Sequence, residues 1–575
     1  MTDPVRTIRW ARASHGEFVG DGPFALSADG VDLVAVRTSG GLRVYEGRCP
    51  HQGALLGEGE LDGDALVCRN HRWRFDAATG RREGGSHCLR ACPSERRDEG
   101  LFVDVAPLAE VRGAATRTIA ELPGPEGLPW IGSALELEVP RLHLALEDWA
   151  RTYGPVYRLR AGPRAFVVVS DPTMIEQALR DRPETFRRDA QVEPVFAELG
   201  VAGVFSVEGS AWRPQRRLAM EALSQRHLRG FYATLAKVAA RLHARWARAA
   251  ATRQIVDMPD DLMRFTVDVT TALAFGCDLN TLEGGEDVIQ RELSLVFPTF
   301  ARRLNSMFPY WRWIRLPADR RVDRAIAALR VWIAELVAEA RRKLAADPTR
   351  KPENFLESMV AGRDEHGEPF ADEILFGNAM TMLLAGEDTT ANSVAWAIHL
   401  LCDHPTEVTA LRAQLDEQLG SDVVPRDLDV ANRLDRATAI AHEAMRLRPV
   451  APVNFVQANR DTTLGDLHIP TDTPIVLLGR IAATDAEHFD APLEFLPSRW
   501  IERSDRVHDA AASMPFGSGP RICPGRSLAL VEMRVLLATL YRSFDVERVG
   551  SAEEVREVYA FTVGPSELNV RLRAR

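Results

Sequence analysis

At 575 residues the chain exceeds one ordinary domain, so two or more folded units are expected. A composition of 46% hydrophobic and 26% charged residues with a net charge of -10 is globular, and argues against nucleic acid or an anionic membrane surface as partner. The opening residues carry Arg6, Arg9 and Arg12 without an apolar core, and no run of about 18 uncharged apolar residues follows, so a soluble, cytoplasmic protein with no membrane anchor is expected.

Residues 1–108 read as short alternating segments, such as Val31 to Arg37 and Leu101 to Val105, separated by Gly and Asp turns. This pattern predicts a small, all-β domain. Within it, Cys49-Pro-His51 and Cys68-Arg-Asn-His71 lie on two Gly-containing loops with 16 residues between the pairs. Two loops of this kind suit a clamp around one metal centre. A structural zinc uses the same residue types, but commonly as Cys-x-x-Cys and as widely spaced histidines rather than mixed pairs. Two thiolates on one iron and two imidazoles on the other form the ligand set of a Rieske 2Fe-2S centre.

The segment closely resembles the Rieske family. That resemblance implies a 2Fe-2S cluster held by Cys49, His51, Cys68 and His71. Ala54 and Asn70 stand where respiratory members carry an extra disulfide, so the likeness is to Rieske ferredoxins and ring-hydroxylating oxygenases. Seven cysteines are an odd set and three of them sit in metal-type spacings, so disulfides are not expected. Cys88 and Cys92 are expected as small buried side chains rather than another site. Arg48, Arg69, Arg72 and Arg74 flank the ligands, either as a basic docking face or as solvated loop arginines.

Residues 109–122 lack either pattern and read as a linker, leading to the Pro- and Gly-rich stretch Leu122 to Gly132. From 123 to 575 helical periodicity dominates, as in Arg324 to Leu344, with brief β-like runs such as Ala165 to Ser170. Trp212 and Arg216 stand four residues apart and so share a helix face. The segments Val192 to Phe205, Phe297 to Trp313 and Val450 to Val456 are apolar or aromatic; Phe297, Phe300, Phe308, Tyr310, Trp311 and Trp313 read mainly as core. Ile374 to Pro405 is apolar nearly all round, a buried central helix that contains Ala385-Gly-Glu-Asp388-Thr389-Thr390. A carboxylate inside such a run is costly without a role or partner.

Glu443-Ala-Met-Arg446 pairs opposite charges one turn apart, which by spacing alone is a surface ion pair. Phe516-Gly-Ser-Gly-Pro-Arg521-Ile-Cys523-Pro-Gly525 is a Gly-rich loop delivering one cysteine to an amphipathic helix expected to begin near Pro524. A helix N-terminus there favours a thiolate. One thiolate without another soft ligand suits haem iron.

Over about 450 residues these motifs resemble the cytochrome P-450 family. The resemblance implies haem b with Cys523 as axial ligand, Phe516 and Gly525 on the cofactor loop, and Trp212, Arg216 and Arg521 on the haem propionates. Arg460 is a further candidate for a propionate. It also implies Asp388 and Thr389 as the acid–alcohol pair delivering protons beside O2, and Glu443, Arg446 and Arg499 as a buried ion-paired triad. The fold expected is therefore multidomain: a small all-β Rieske unit, then a mainly α (α+β) cytochrome P-450 fold.

These likenesses imply a monooxygenase in which the cluster relays single electrons to the haem, and O2 oxidises a hydrophobic small molecule. Rieske non-haem oxygenases need two histidines and a carboxylate on a second iron; His399 and His404 offer such a pair, but they lie at a helix end before Pro405. A redox carrier, isomerase or dehydratase is the other alternative, and Asp388 with Thr389 weighs against it. No strand leads into a Gly-x-Gly-x-x-Gly turn, so a separate flavin-containing NAD(P)H reductase is expected as electron source.

Overall fold

In a computed structural model that describes residues 10–13, 22–29, 31–50, 53–69, 72–83, 87–98, 100–108, 116–284, 291–293, 295–304, 306, 309–347, 349–364, 366–501 and 508–575, a β-rich amino-terminal unit precedes a mainly helical one. The first contains three antiparallel sheets of three strands each. Val31–Thr38 is the middle strand of one, between Phe24–Ala28 and Gly41–Glu46. Its side chains alternate between two cores: Val34 and Val36 pack with Cys49, Cys68 and Phe75, whereas Leu33 and Ala35 pack with Val44 and Val103. Both faces of the strand are therefore covered, and the cluster loops hang from the first core.

In the helical unit a five-stranded sheet runs Val156–Ala161, Arg164–Val169, Pro474–Leu478, Val453–Ala458, Phe186–Arg188 in spatial order. The strand expected from Ala165 to Ser170 is Arg164–Val169, and the helix expected from Arg324 to Leu344 is Pro317–Ala346. The central helix spans Asp372–Cys402 and packs against Met258–Phe275, Asp435–Leu447 and Arg526–Ser543. It stops short of Pro405, which opens the next helix, Pro405–Leu419, as its first residue. Proline fits that position because its missing N–H would have no partner there. Among the described residues no helix is long and apolar enough to cross a membrane.

Two expectations about the cysteine helix change. It spans Arg526–Ser543 with Gly525 as its N-cap, so Pro524 lies ahead of the cap rather than at the first helical position. Nor is it amphipathic: Leu528 and every residue from Leu530 to Tyr541 except Arg534 are buried, because helices cover it on several sides.

Glu443 is fully buried and accepts from Arg446 at 2.7 and 2.9 Å, Arg499 at 3.0 Å, Trp500 Nε1 at 2.8 Å and Leu496 N at 2.9 Å. Arg446 also donates to the carbonyls of Ala483, Pro492 and Glu494. This is the buried triad, not a surface pair. The bonds from the arginines, Leu496 and Trp500 outweigh burial and hold the Glu443 carboxyl below its usual range. Replacing Glu443 with glutamine leaves two buried guanidinium ions without a counter-charge, and about 3–5 kcal/mol of stability is expected to be lost. A loss of unfolding free energy below about 1 kcal/mol, the worth of an exposed pair, would show that the triad does not anchor this region.

Candidate metal centres

Cys523 follows a loop that doubles back on itself: its N–H donates to the Phe516 carbonyl at 3.0 Å. Gly517 and Gly519 hold positive φ angles of 72° and 71°. A Cβ on Gly519 would meet the Leu179 carbonyl oxygen at 2.4 Å, so only glycine lets the loop lie on that segment. Burial pushes the Cys523 thiol up, opposed by the Gly525 and Arg526 N–H groups and by the charges of Arg216 and Arg526. Phe516 packs half-buried on the main core, and Gly525 stands beside the sulfur.

The central helix is buried along most of its length, yet Ala385 is exposed while Gly386, Asp388 and Thr389 are only half-buried. Exposure midway along a buried helix marks an internal space. Thr389 Oγ1 donates to the Ala385 carbonyl one turn back at 2.8 Å. A Cβ on Gly386 would strike Thr270 Oγ1 at 2.3 Å, so that glycine sets the approach of the neighbouring helix. Asp388 accepts from Asn392 Nδ2 at 2.8 Å and from the Thr562 hydroxyl. Burial raises its pKa, against those two bonds.

Trp212 is buried beneath Arg521, whose guanidinium carbon lies 4.2 Å from the ring centroid. Arg521 pairs with Glu208 at 2.6 Å, and Arg182 reaches the same carboxylate at 3.5 Å. Arg188 stacks on Phe205 at 3.8 Å and donates to the Phe205 carbonyl. Burial pushes Arg521 down to about 8, with Glu208 opposing it and Arg182, Arg188 and Arg216 reinforcing it. Burial and Arg182 bring Arg188 down to about 9. Among the described residues the buried Nε atoms of Arg182 and Arg521 have no hydrogen-bond partner. A surplus of enclosed cations with orphaned donors is the environment that an anionic cofactor edge satisfies. Together with the thiol and the internal space, it fits haem.

Arg216 turns to the amino-terminal unit, pairing with Glu58 at 3.2 Å. Arg460 requires correction: it is exposed and donates to Thr185 Oγ1 at 3.1 Å, outside the cation cluster. The strand it follows ends at Ala458, so Arg460 falls in a surface turn. Arg182 and Arg188 take the buried positions instead. They carry no motif that sequence reasoning recognises, and only the fold brings them to Arg521.

The two cysteine loops of the amino-terminal unit share one construction. Cys49 N donates to the Ala54 carbonyl and Cys68 N to the Trp73 carbonyl, each at 2.8 Å and each five residues ahead. The Cys49 and Cys68 carbonyls accept from Gly53 N and Arg72 N, and both of these residues hold positive φ, 66° and 58°. Two equivalent loops presenting buried thiols fit a cluster held between them. His51 and His71, with Asn70, lie outside the described residues, as does Phe308. Among the described residues no disulfide joins any of the seven cysteines; Cys92 is buried as expected, whereas Cys88 is exposed, so the core expectation fails there.

The Cys49 loop rests on the Cys523 loop. A Cβ on Gly53 would meet Arg180 Cγ at 2.8 Å and Gly519 Cα at 3.3 Å. Ala54, Leu55 and Arg69 face Ile522, Cys523 and Arg526 across a small cleft. Burial lowers the pKa of Arg526, and the charges of both Cys523 and Cys68 oppose that effect, so the guanidinium senses both sulfurs. Arg69 Nη2 donates to the Leu223 carbonyl at 2.7 Å, just past the end of the Trp212–Ala222 helix. Beside these contacts Arg48 and Arg213 each pair with both Asp32 and Glu184, every separation being 2.8 Å. The four charges alternate in a closed ring across the two units. Arg72 and Arg74 pair with Glu60, Asp62 and Glu83 of their own unit, so the basic docking face is limited to Arg48 and Arg69.

The cytochrome P450 family model matches residues 122–570, and the Rieske 2Fe-2S domain model matches residues 10–93. The human mitochondrial 25-hydroxyvitamin D-1 alpha hydroxylase is 29% identical over 77% of this chain and 90% of its own. The chloroplastic protein LUTEIN DEFICIENT 5 of Arabidopsis thaliana is 25% identical over 76% of this chain and 74% of its own. The crystal structure of the cytochrome P450DA heme domain superposes with a TM-score of 0.71 at 26% identity, covering 80% of this chain and 99% of that one.

Reversing one member of the charge ring tests the docking. Arg213→Glu puts a third carboxylate beside Asp32 and Glu184, and solution scattering is expected to show a larger radius of gyration as the units part. Adding Asp32→Arg restores an opposite-signed pair between the units at positions 32 and 213 while Arg48 keeps Glu184, and is expected to bring the radius back toward its original value. An unchanged radius in the single variant would show that the ring does not hold the units together.

Proposed function

The chain belongs to the cytochrome P450 family and carries a Rieske domain at its head, and on that premise we propose that it is a self-contained donor–acceptor pair oxidising a hydrophobic small molecule. It is a haem-thiolate monooxygenase with an electron relay, and its cofactors are haem and a 2Fe-2S cluster. When bound, the cluster supplies electrons singly and the haem combines O2, two electrons and two protons with the substrate to give the oxygenated product and water.

The observation that carries the reading is the contact of the Cys49 loop with the Cys523 loop. We assign Cys49, His51, Cys68 and His71 as the residues that would hold the cluster and Cys523 as the one that would hold the haem iron. Trp212, Arg216 and Arg521, joined by Arg182 and Arg188, would hold the haem's anionic edge, with Arg216 also facing Glu58 of the amino-terminal unit. Phe516 and Gly525 would shape the loop that carries the haem ligand. Arg526 lines the small cleft with Cys523 and Arg69, and the charges of both Cys523 and Cys68 act on its guanidinium.

On the opposite side of the pocket Asp388 and Thr389 hold and pass protons to the oxygen site. Phe196, Phe205, Phe300 and Phe561 form an aromatic cluster, with Phe196 and Phe300 stacked at 4.2 Å. Such walls recognise apolar bulk and exclude water. Trp311 is buried and donates to Glu198, whereas Trp313 is exposed at 74%, so the aromatic stretch is core in part only. His399 packs on Trp396 and His404 on Phe495, separate surroundings that do not form an iron site. An external NAD(P)H-dependent reductase supplies the electrons.

Two variants separate the centres. Cys523→Ser is expected to lose the red-shifted absorption of the reduced carbonyl adduct while keeping the electron-spin signal of the reduced cluster. Cys68→Ser is expected to keep that absorption after chemical reduction and to lose haem reduction by NAD(P)H with a surrogate reductase. Full enzymatic haem reduction in a cluster-free Cys68→Ser protein would refute the relay. Among apolar compounds, those that displace iron-bound water are expected to shift the haem absorption band; a panel in which only charged, hydrophilic compounds shift it would refute the hydrophobic substrate class.

A further inference from the structure

The hairpin formed by Glu557–Tyr559 and Val563–Pro565 lies across the central helix, and its turn carries Phe561 and Thr562 side by side. The base is pinned: Glu557 pairs with Arg480 and with His143 Nε2, each at 2.7 Å. The second strand is pinned as well, because the Val563 carbonyl accepts from Trp396 Nε1 at 3.3 Å and Val563 N donates to Val450 O at 2.8 Å. Gly564 permits this approach, since a Cβ there would meet Asn392 Oδ1 at 2.6 Å. The turn between these anchors is closed by Ala560 N donating to the Thr562 carbonyl at 2.9 Å.

The two turn side chains face different tasks. The Phe561 ring lies 5.8 Å from Phe205, 6.2 Å from Phe196 and 6.3 Å from Phe300, inside the aromatic cluster assigned to the substrate. Thr562 is buried, its hydroxyl donating to Asp388 and lying 3.4 Å from Asn392 Nδ2. Among the described residues, the side-chain hydrogen bonds to the Asp388 carboxylate come from Asn392 and Thr562, both uncharged. Asn392 is on the same helix, one turn from Asp388, so their backbones are fixed relative to each other. Thr562 is on another element, and its position depends on where the turn sits.

We propose that Thr562 is a positioning residue for Asp388, and that its neighbour Phe561 makes the acid's orientation depend on what fills the aromatic pocket. The proposal rests on Asp388 serving as proton donor in the function assigned above. A substrate pressing on Phe561 displaces the turn, Thr562 follows, and the Asp388 carboxyl turns between its hydrogen-bonded rest position and the oxygen site. An empty pocket leaves the acid held away. Proton delivery is thereby tied to occupancy.

The test uses the full holoenzyme, NAD(P)H, a surrogate reductase and an apolar compound selected by its shift of the haem band, so that the pocket is filled; O2 is then reduced to peroxide by two electrons and two protons, or to water by four of each, wherever it is not spent on that compound. The readout is peroxide released per NAD(P)H oxidised, with thermal midpoint and carbonyl-adduct absorption as controls for fold and haem content. Thr562→Val removes the hydroxyl at nearly constant volume and is expected to change that ratio by about threefold or more, and Thr562→Ser to restore it. Asp388→Asn is expected to change it as well. Phe561→Ala is expected to alter the ratio in the parent and to add nothing in the Thr562→Val background. If Asp388→Asn shifts the ratio and Thr562→Val does not, the positioning role is overturned. If Phe561→Ala acts equally in both backgrounds, the link to the pocket is overturned. If Asp388→Asn has no effect, the proton-delivery assignment itself fails.

Discussion

Everything in the molecule's redox arrangement depends on one close approach: the Cys49 loop against the Cys523 loop, where Gly53 and Gly519 stand. Each glycine has positive φ, and a Cβ on Gly53 would be forced to within 2.8 Å of Arg180 and 3.3 Å of Gly519. Side chains at these points would therefore separate the loops that carry the two kinds of sulfur. Because each loop is also stitched by its own backbone hydrogen bonds, the contact joins two preformed surfaces. Little ordering entropy remains to be lost when they meet.

Around that contact, electrostatics supply register rather than large affinity. Asp32, Arg48, Glu184 and Arg213 alternate in sign, so a shifted docking pose brings like charges together. Asp32 and Glu184 differ in surroundings: Asp32 is buried, and Glu184 has its pKa raised by burial and by Asp32 itself. A folded-state pKa raised above the unfolded one opposes stability as pH rises through that range, and the Arg48 and Arg213 charges reduce this cost without cancelling it. Arg216 links docking to the cofactor site, since it faces Glu58 while sharing a helix with Trp212 and influencing Arg521.

The two families were legible in the sequence because metal ligation fixes residue type and spacing together, so that the Cys/His pairs and the cysteine loop are local signals. Whatever depends on distant segments meeting was not legible. Arg182 and Arg188 are ordinary arginines until the fold encloses them with Glu208, whereas Arg460 lies in a stretch without a sharp motif and ends in an exposed turn. The glycine contact and the charge ring draw on residues from both units, and no pattern within one segment encodes them. The cysteine helix departs from an amphipathic pattern for a related reason: Glu532 interrupts its apolar run, yet it is buried, and that burial pushes it up to about 8.

A docked, intramolecular electron path is tested most directly by the rate of haem reduction from a pre-reduced cluster, trapped as the carbonyl adduct, across a range of protein concentration and solvent viscosity. A fixed pose predicts a first-order rate that is indifferent to both. A rate that falls in step with added viscogen, or rises with protein concentration, would contradict it by showing that the Rieske domain must travel, or another molecule must arrive, before each electron crosses.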